Sequence, residues 1–303
     1  MVRGPYAAIA AAIVAVSFSS ILIRWSNSDA ITIAFYRLAI ASVIILPFAA
    51  IDRATPLRTL PRRDVLLMAG IGVVLAAHFA FWITSLKTAG VTVASSVVLV
   101  TSHPVMVAVV SHFLLKERVA AMTAAGIALG FSGVVVIAVA DLRVSGTTLA
   151  GDLAALMGGV MAGVYFLAGR RMRQRVSLAV YAFVVYGTAA VALFAIAAAT
   201  GKLAPTGDLR TELLLFAAMA VVPQIGGHTL YNWSLRFVSA PVVSVSLVGE
   251  PIGSSLLAWI LLAETPSLVV AVGGLLALAG IFLTAYSSSA ITAPAGRVPA
   301  QEK

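Results

Sequence analysis

Long, continuously apolar runs dominate the chain, and short polar stretches separate them. Ten of these runs have about 20 residues each, the length that a helix needs to cross the hydrocarbon core of a bilayer. They lie at 5–25, 31–51, 65–85, 91–114, 119–140, 151–169, 177–199, 212–234, 240–262 and 267–286. The strands of a membrane barrel would instead be short segments of alternating polarity. The pattern therefore predicts an all-α, polytopic membrane protein with ten transmembrane helices.

Composition narrows the class of protein further. Hydrophobic residues make up 61% of the 303 residues and charged residues only 10%, whereas an average soluble chain carries about 25% charged residues. This excludes a soluble enzyme and a disordered chain. The net charge of +9 does not indicate nucleic acid, because the basic residues lie in short clusters between the apolar runs. The chain has no cysteine, which excludes disulfides, thiolate metal sites and cysteine nucleophiles.

The distribution of Lys and Arg predicts the orientation of the helices. With a cytoplasmic N-terminus, 14 of the 20 Lys and Arg residues fall in cytoplasmic segments, five fall in outer loops, and Arg37 lies within a span. This bias follows the positive-inside rule. We therefore expect a multi-pass protein of the plasma (cell inner) membrane with both termini in the cytoplasm.

The second half of the chain repeats features of the first half at one constant offset. Four pairs of positions match, and His103 stands where the second half has Glu250: Pro104 with Pro251, Glu117 with Glu264, Gly126 with Gly273, and Gly133 with Gly280. Because each half holds five spans, the second half must be inverted relative to the first. We predict two inverted five-helix repeats at 1–145 and 146–290, followed by a disordered cytoplasmic tail at 291–303. Inverted repeats with a site near the bilayer midplane are typical of secondary transporters.

These residues resemble the EamA family of the drug/metabolite transporter superfamily. The resemblance is carried by the segment Ala34-Phe35-Tyr36-Arg37 on the second helix, by the proline-to-glutamate spacings of the fourth and ninth helices, and by the glycine-spaced fifth and tenth helices. It implies a metabolite exporter with a central cavity between its halves, acting on amino acids, related metabolites or toxic compounds. His103 departs from the uncharged residue that is more usual before the first proline.

Glu250 is the strongest candidate for a functional side chain. It lies near the middle of the ninth span, directly before Pro251, and a charge within the bilayer is costly enough to indicate function. Proline frees a backbone carbonyl and bends a helix, so Pro104 and Pro251 are candidate hinges. Glu250 could bind a substrate ammonium group, carry a proton, or stabilise helix packing. His103 could join it in a proton relay, or serve as a neutral, hydrogen-bonded structural residue.

Arg37 is the second charged residue that lies within a span. Its guanidinium could bind a substrate carboxylate, pair with Glu250, or extend to the outer interface. Arg24, at the end of the first span, is interpreted as an interfacial anchor.

Two further groups of polar side chains share helix faces. His78 and Trp82 are four residues apart on the third span, and His228, Tyr231 and Asn232 form a similar stripe on the eighth. They could line a cavity for an amphipathic molecule or hold helices together by hydrogen bonds. Glu117 and Glu264 lie at span ends, where we expect capping or interfacial roles. The glycines of the fifth and tenth spans predict close helix packing within the monomer.

These observations predict a secondary transporter (permease) that exports small organic metabolites by alternating access. The open alternatives are a passive channel, a non-transporting membrane scaffold and, least favoured, an intramembrane enzyme. The sequence contains no H-E-x-x-H metalloprotease motif, no G-x-S-x-G serine site and no phosphate-binding P-loop. We expect no enzymatic activity, no cofactor and no metal. The expected partners are a small-molecule substrate and the lipid bilayer rather than nucleic acid, with proton coupling and a homodimer left open.

Overall fold

The computed structural model describes residues 3–103, 105, 121–142, 146–234 and 249–292. In these ranges the chain is helical and contains no β-strand. The described residues contain twelve helical segments in addition to a 3₁₀ turn at Leu57–Thr59. They are α1 (Arg3–Trp25), α2 (Ala30–Ala50), α3 (Arg62–Lys87), α4 (Val93–Thr101), α5 (Ala121–Leu142), α6 (Gly146–Arg173), α7 (Leu178–Ala199), α8 (Leu209–Met219), the π-helix π1 (Ala220–Thr229), α9 (Leu230–Ser234), α10 (Gly249–Leu262) and α11 (Leu268–Thr292).

Within the described ranges, seven helical stretches are long and apolar enough to cross a membrane. They are Ala7–Trp25, Ala30–Ala50, Arg62–Lys87, Ala121–Ala140, Thr148–Arg173, Leu178–Ala199 and Leu209–Ser234. Each coincides with a span expected from the apolar pattern, with ends within a few residues. The fourth, ninth and tenth expected spans are represented by α4, α10 and α11, and the described part of α4 has only nine residues. The protein is thus an all-helical membrane protein, while the count of ten helices stays a prediction.

Several predictions concern residues outside the described ranges. Pro104 and Glu117 lie there, so the proposed hinge at Pro104 and the capping role of Glu117 stay predictions. The same holds for residues 293–303 of the expected tail, whereas α11 continues to Thr292. Pro251 is buried, and the described part of α10 begins only two residues before it.

Hydrogen bonds show which helix ends lie together. Glu212, near the start of α8, accepts hydrogen bonds from Ser26 Oγ (2.5 Å), the Asn27 backbone N–H (2.7 Å) and Ser28 Oγ (2.8 Å) in the link between α1 and α2. Lys87, at the end of α3, donates to the Ser26 carbonyl at 2.6 Å. We call this region the Glu212 end of the bundle. The α2–α3 and α6–α7 links lie elsewhere and contact each other, because the backbone N–H of Ser177 donates to Thr55 Oγ1 at 3.1 Å.

The Glu212 end also contains the two ion pairs found among the described residues. Lys202 Nζ lies 2.9 Å from Asp29 Oδ1, and Arg24 Nη2 lies 3.4 Å from Glu264 Oε1. Arg24 also donates to the Val91 carbonyl, so it joins α1 to the start of α4 and is more than an interfacial anchor. Glu264 Oε2 accepts the first N–H of α4, from Val93, at 2.9 Å. The capping role predicted for Glu264 is confirmed.

Glycines allow α5 and α11 to pack in direct backbone contact. A Cβ at Gly126 would lie 2.6 Å from Thr284 Oγ1 and 3.0 Å from the Gly280 carbonyl. A Cβ at Gly133 would lie 2.5 Å from the Gly273 carbonyl. Real Cβ atoms do not approach this closely, so larger side chains would separate the two helices. The prediction that these glycines serve close packing within the monomer is confirmed.

Candidate functional site

A small cavity in the middle of the bundle collects most of the residues singled out in the sequence. Six of those candidates line it: His78, Trp82, His103, His228, Tyr231 and Glu250. The remaining lining residues are Val16, Val100, Thr101, Ala162, Tyr165 and Phe166. They belong to α1, α3, the α4 end, α6, the π1–α9 segment and α10. Residues that are up to 234 positions apart in the chain therefore meet in one place.

The cavity is constricted in this conformation. Its volume is about 30 Å³, which suffices for roughly one or two water molecules. Sites that enclose organic ligands usually have volumes of about 300–1,000 Å³. Binding of an organic molecule would therefore require the surrounding helices to move apart.

Two glycines of α6 bring its aromatic residues into the cavity wall. A Cβ at Gly158 would lie 3.2 Å from the Trp82 backbone nitrogen, and one at Gly159 would lie 2.8 Å from the Val100 carbonyl. The helix therefore approaches α3 and α4 closely, and Tyr165 and Phe166 follow one to two turns later on the same helix. Both glycines lie in the sixth apolar run, which forms a helix of 28 residues.

The histidines on the first-half side of the cavity are fixed by backbone carbonyls. His78 Nδ1 donates to the Gly158 carbonyl at 2.9 Å, and its ring stacks on Trp82 with centroids 6.0 Å apart. His103 Nδ1 lies 3.4 Å from the Val100 carbonyl, and its ring stacks on Phe166 at 5.5 Å. Because a carbonyl can only accept, Nδ1 carries a proton in each of the two rings. Both histidines are therefore hydrogen-bonded to the backbone, as expected if their role is structural. Both also line the cavity.

The wall formed by the eighth apolar run owes its shape to a π-helix. Residues Ala220–Thr229 form this π-helix, with Pro223 inside it. Such wide turns are rare and are frequent at functional sites. The widened segment carries His228 to within 6.4 Å of the His78 ring and 5.5 Å of the Phe79 ring, measured between centroids. Nothing in the apolar pattern distinguished this segment from an ordinary α-helix.

Asn232 supports the cavity wall and is not among the residues that line it. Its Nδ2 donates to the hydroxyl of Tyr165 at 2.8 Å and to the carbonyl of His228 at 2.9 Å. The amide thus orients two lining residues, one on each side. Tyr165 and Phe166 were not anticipated from the sequence, because aromatic residues in a glycine-rich apolar run have no distinctive spacing.

Arg37 is buried in the bundle and is absent from the residues that line the cavity. The side chain is fully buried, so it does not extend to the membrane interface. Its guanidinium donates to Gln224 Oε1 and Ser19 Oγ, both at 2.8 Å, and lies 4.2 Å above the Phe79 ring. The ion pairs of the described residues do not include one between Arg37 and Glu250. Gln224 was not among the functional residues predicted from the sequence, although a polar residue directly after Pro223 in an apolar run could have identified it.

Several polar atoms around the cavity have no hydrogen-bond partner. Among the lining residues these are Trp82 Nε1, His228 Nδ1 and Tyr231 Oη. Buried polar groups in proteins are almost always satisfied, so exceptions need an explanation such as water or a ligand. The cavity therefore combines one carboxylate, three imidazoles and unsatisfied donors between aromatic faces. The described residues contain no cluster of His, Asp and Glu arranged to hold a metal ion.

Comparison with known proteins places this fold in a family. A transporter from Archaeoglobus fulgidus that is named as uncharacterized is 26% identical over 276 residues, covering 88% of this chain and 92% of that protein. The uncharacterized transporter YdfC of Bacillus subtilis is 23% identical over 259 residues, covering 83% and 80%. A crystal structure with 21% identity superimposes with a TM-score of 0.62 over 94% of this chain and 98% of the other. The family model for EamA-like transporters matches residues 4–139 and 149–286, and the chain belongs to the EamA-like transporter family.

Proposed function

We propose that this membrane transporter is a secondary carrier that moves small organic metabolites, such as amino acids or related compounds, out of the cell by alternating access. The observation that carries the proposal is the cavity, which has Glu250 in its wall. Helices from both predicted halves line it: α1, α3 and α4 from 1–145, and α6, π1–α9 and α10 from 146–290. A site between two halves is what alternating access requires, because a relative rotation of the halves exposes it to each side in turn.

The packing of α5 on α11 supports the division into two inverted halves. Gly126 contacts Gly280, and Gly133 contacts Gly273. In the sequence repeat, Gly126 corresponds to Gly273 and Gly133 to Gly280. Exchanging each residue for its counterpart therefore reproduces the same pair of contacts, which is the behaviour of a two-fold axis. The separate matches of the family model to 4–139 and 149–286 agree with this division.

The Glu212 end supplies the parts of a gate. Its hydrogen bonds and ion pairs connect α1 and α2 to α8, and α1 and α4 to Glu264, two residues after the end of α10. These contacts join the two predicted halves at one end of the bundle. In the proposed cycle, they break when the cavity opens toward that end.

Flux measurements test the proposal. The purified protein is reconstituted in liposomes, and uptake of a metabolite panel is measured with and without a pH gradient. A carrier gives saturable flux that is stimulated by substrate on the opposite side. A passive channel gives flux without counter-substrate stimulation, and a scaffold gives no flux. Either of these results would refute the proposed transport cycle.

Orientation is tested separately by labelling introduced cysteines. We propose that the Glu212 end faces outward in the plasma membrane and that both termini are cytoplasmic. The chain has no native cysteine, so single cysteines at the exposed Ala204 and Ala54 report on the two opposite sets of links. In intact cells, an impermeant thiol reagent is expected to label Ala204→Cys and to leave Ala54→Cys unlabelled. The reverse labelling pattern would overturn this orientation.

A further inference from the structure

We propose that Arg37 and Gln224 form a carboxylate-binding subsite next to the cavity, which makes the carrier selective for compounds that carry one ammonium group and one carboxylate group. This inference rests on the proposed carrier function and specifies how its substrates are recognised. It follows from two unsatisfied donors, from two opposite buried charges that are not in contact, and from an aromatic ring that touches both the guanidinium and the cavity wall.

Arg37 and Gln224 each keep one donor free although both side chains are fully buried. The guanidinium donates from Nε to Gln224 Oε1 and from Nη1 to Ser19 Oγ, both at 2.8 Å. Arg37 Nη2 and Gln224 Nε2 have no hydrogen-bond partner. Buried polar atoms in proteins are almost always satisfied, and these two nitrogens can only donate. A carboxylate would satisfy both, because it offers two acceptor oxygens.

The guanidinium also has no carboxylate in contact with it. The ion pairs of the described residues do not include Arg37, and Glu250 attracts it electrostatically without touching it. A charge within the membrane is costly and indicates function. A ligand between the two side chains would place its ammonium group against Glu250 and its carboxylate against Arg37. A ligand with the ammonium group alone would leave the guanidinium without a counter-charge.

The Phe79 ring connects this subsite with the cavity. Its centroid lies 4.2 Å from Cζ of Arg37, and it packs against the rings of His78 and His228 at 4.8 and 5.5 Å. Both histidines line the cavity, so the guanidinium and the cavity wall contact the same ring. Gln224 and His228 also share the π-helix. Because the cavity must widen to hold an organic molecule, a shift of Phe79 during that widening would expose Arg37 Nη2 to the ligand.

Three amino acids, each paired with its amide, test the preference for a carboxylate. The acids are L-leucine, L-phenylalanine and L-threonine, and their amides keep the ammonium group but lose the negative charge. Binding to the purified full chain in detergent is titrated through the rise in unfolding temperature that a ligand produces. In at least one pair, we expect the acid to bind at least roughly tenfold more tightly than its amide, the effect of about one charge-assisted hydrogen bond.

The substitution Gln224→Glu tests the subsite directly. A carboxylate at this position still accepts the hydrogen bond from Arg37 Nε, but it removes the Nε2 donor and pairs with the guanidinium in place of the ligand. We expect the affinity for the acid to fall at least roughly tenfold and the preference for the acid over the amide to disappear. Glu250→Gln should instead weaken acid and amide alike, because both bind through their ammonium group.

The substitution Arg37→Lys distinguishes a carboxylate receptor from a simple counter-charge of Glu250. Lysine keeps the charge and lacks the planar fork of donors, so we expect the preference for the acid to fall several-fold. A mere counter-charge would give the wild-type preference. The matched control is Arg63→Lys, the same change at an exposed position in the first turn of α3, which should leave the preference unchanged. A monodisperse elution profile in detergent checks that every variant is folded.

The outcomes separate this subsite from the proposed carrier. Equal affinity for acid and amide in every pair, or an unchanged preference in Gln224→Glu, would overturn the subsite and leave the carrier function intact. Saturable flux of other metabolites without binding of any of the six compounds would also refute the subsite alone. Non-saturable flux, in contrast, would refute the carrier itself.

Discussion

Two groups of buried polar side chains in this protein differ in how completely they are hydrogen-bonded. At the Glu212 end, the carboxylate of Glu212 accepts three hydrogen bonds, and Glu264 both pairs with Arg24 and caps α4. Around the central cavity, Trp82 Nε1 and Tyr231 Oη have no partner. Arg24 Nε also lacks a partner, but the satisfied carboxylates of the Glu212 end stabilise one arrangement of helices, whereas the unsatisfied groups of the cavity remain available to a ligand. The comparison predicts that mutations at the Glu212 end chiefly change stability and that mutations at the cavity chiefly change transport.

The largest expected effect on stability is at Glu212. The Glu212→Ala substitution leaves the hydroxyls of Ser26 and Ser28 and the N–H of Asn27 without their acceptor. Each unsatisfied buried hydroxyl costs about 1–3 kcal/mol, so we expect the free energy of unfolding to fall by about 2 kcal/mol or more. Thermal unfolding in detergent measures the change, and Glu212→Gln, which keeps one acceptor, should lose less. Wild-type stability of Glu212→Ala would contradict the structural role assigned to this end.

The second effect concerns transport and is expected at Glu250. The Glu250→Gln substitution keeps the size of the side chain and removes its charge, so it should abolish flux or lower it at least roughly tenfold. Folding and insertion should remain intact. Flux is compared with that of Asp64→Asn, which removes a carboxylate from the first turn of α3, outside the cavity and the Glu212 end. Wild-type flux with unchanged pH dependence in Glu250→Gln would show that the carboxylate takes no part in transport.

A smaller and more selective effect is expected at Trp82. Its indole N–H makes no hydrogen bond, so Trp82→Phe breaks none, and the small void that it leaves should lower the free energy of unfolding by about 1–2 kcal/mol. The same substitution should slow transport, because it removes a free donor and part of an aromatic ring from the cavity wall. Stability is measured by thermal unfolding and flux by counterflow on the same preparation. A large loss of stability with unchanged flux would contradict the expectation that mutations at the cavity chiefly change transport.

The smallest effect is expected at the ion pair between Lys202 and Asp29. Both side chains are about half exposed, at 48% and 46%, and exposed ion pairs contribute about 0–1 kcal/mol. Asp29→Asn should therefore lower the free energy of unfolding by less than about 1 kcal/mol, and salt should reduce the difference further. Thermal unfolding at low and high ionic strength provides the measurement. A loss as large as that of Glu212→Ala would show that burial is not what separates strong from weak contacts at this end.

Sequence patterns predicted the helices well because the membrane leaves few alternatives. A run of about 20 apolar residues satisfies its backbone hydrogen bonds within a single helix, so position along the chain is sufficient to find it. The same reasoning identified Glu250 as a charge within a span. It also identified His78, Trp82, His103, His228 and Tyr231, all of which line the cavity.

Other features depended on contacts that no local pattern contains. The contact of Arg37 with the Phe79 ring, the support of Tyr165 by Asn232 and the hydrogen bonds of Glu212 each join residues that are far apart in the chain. The π-helix at Ala220–Thr229 depends on an altered hydrogen-bond register, which leaves apolar composition unchanged.

The sequence by itself determined the class of protein, the positions of most membrane helices and the candidate functional side chains, because bilayer insertion depends on composition within one helix. Tertiary structure decided which of those side chains share a cavity. It also decided which of them are already hydrogen-bonded. That division arises because hydrogen bonds and charges act over a few ångströms in space, and only the packing of helices from both ends of the chain sets those distances.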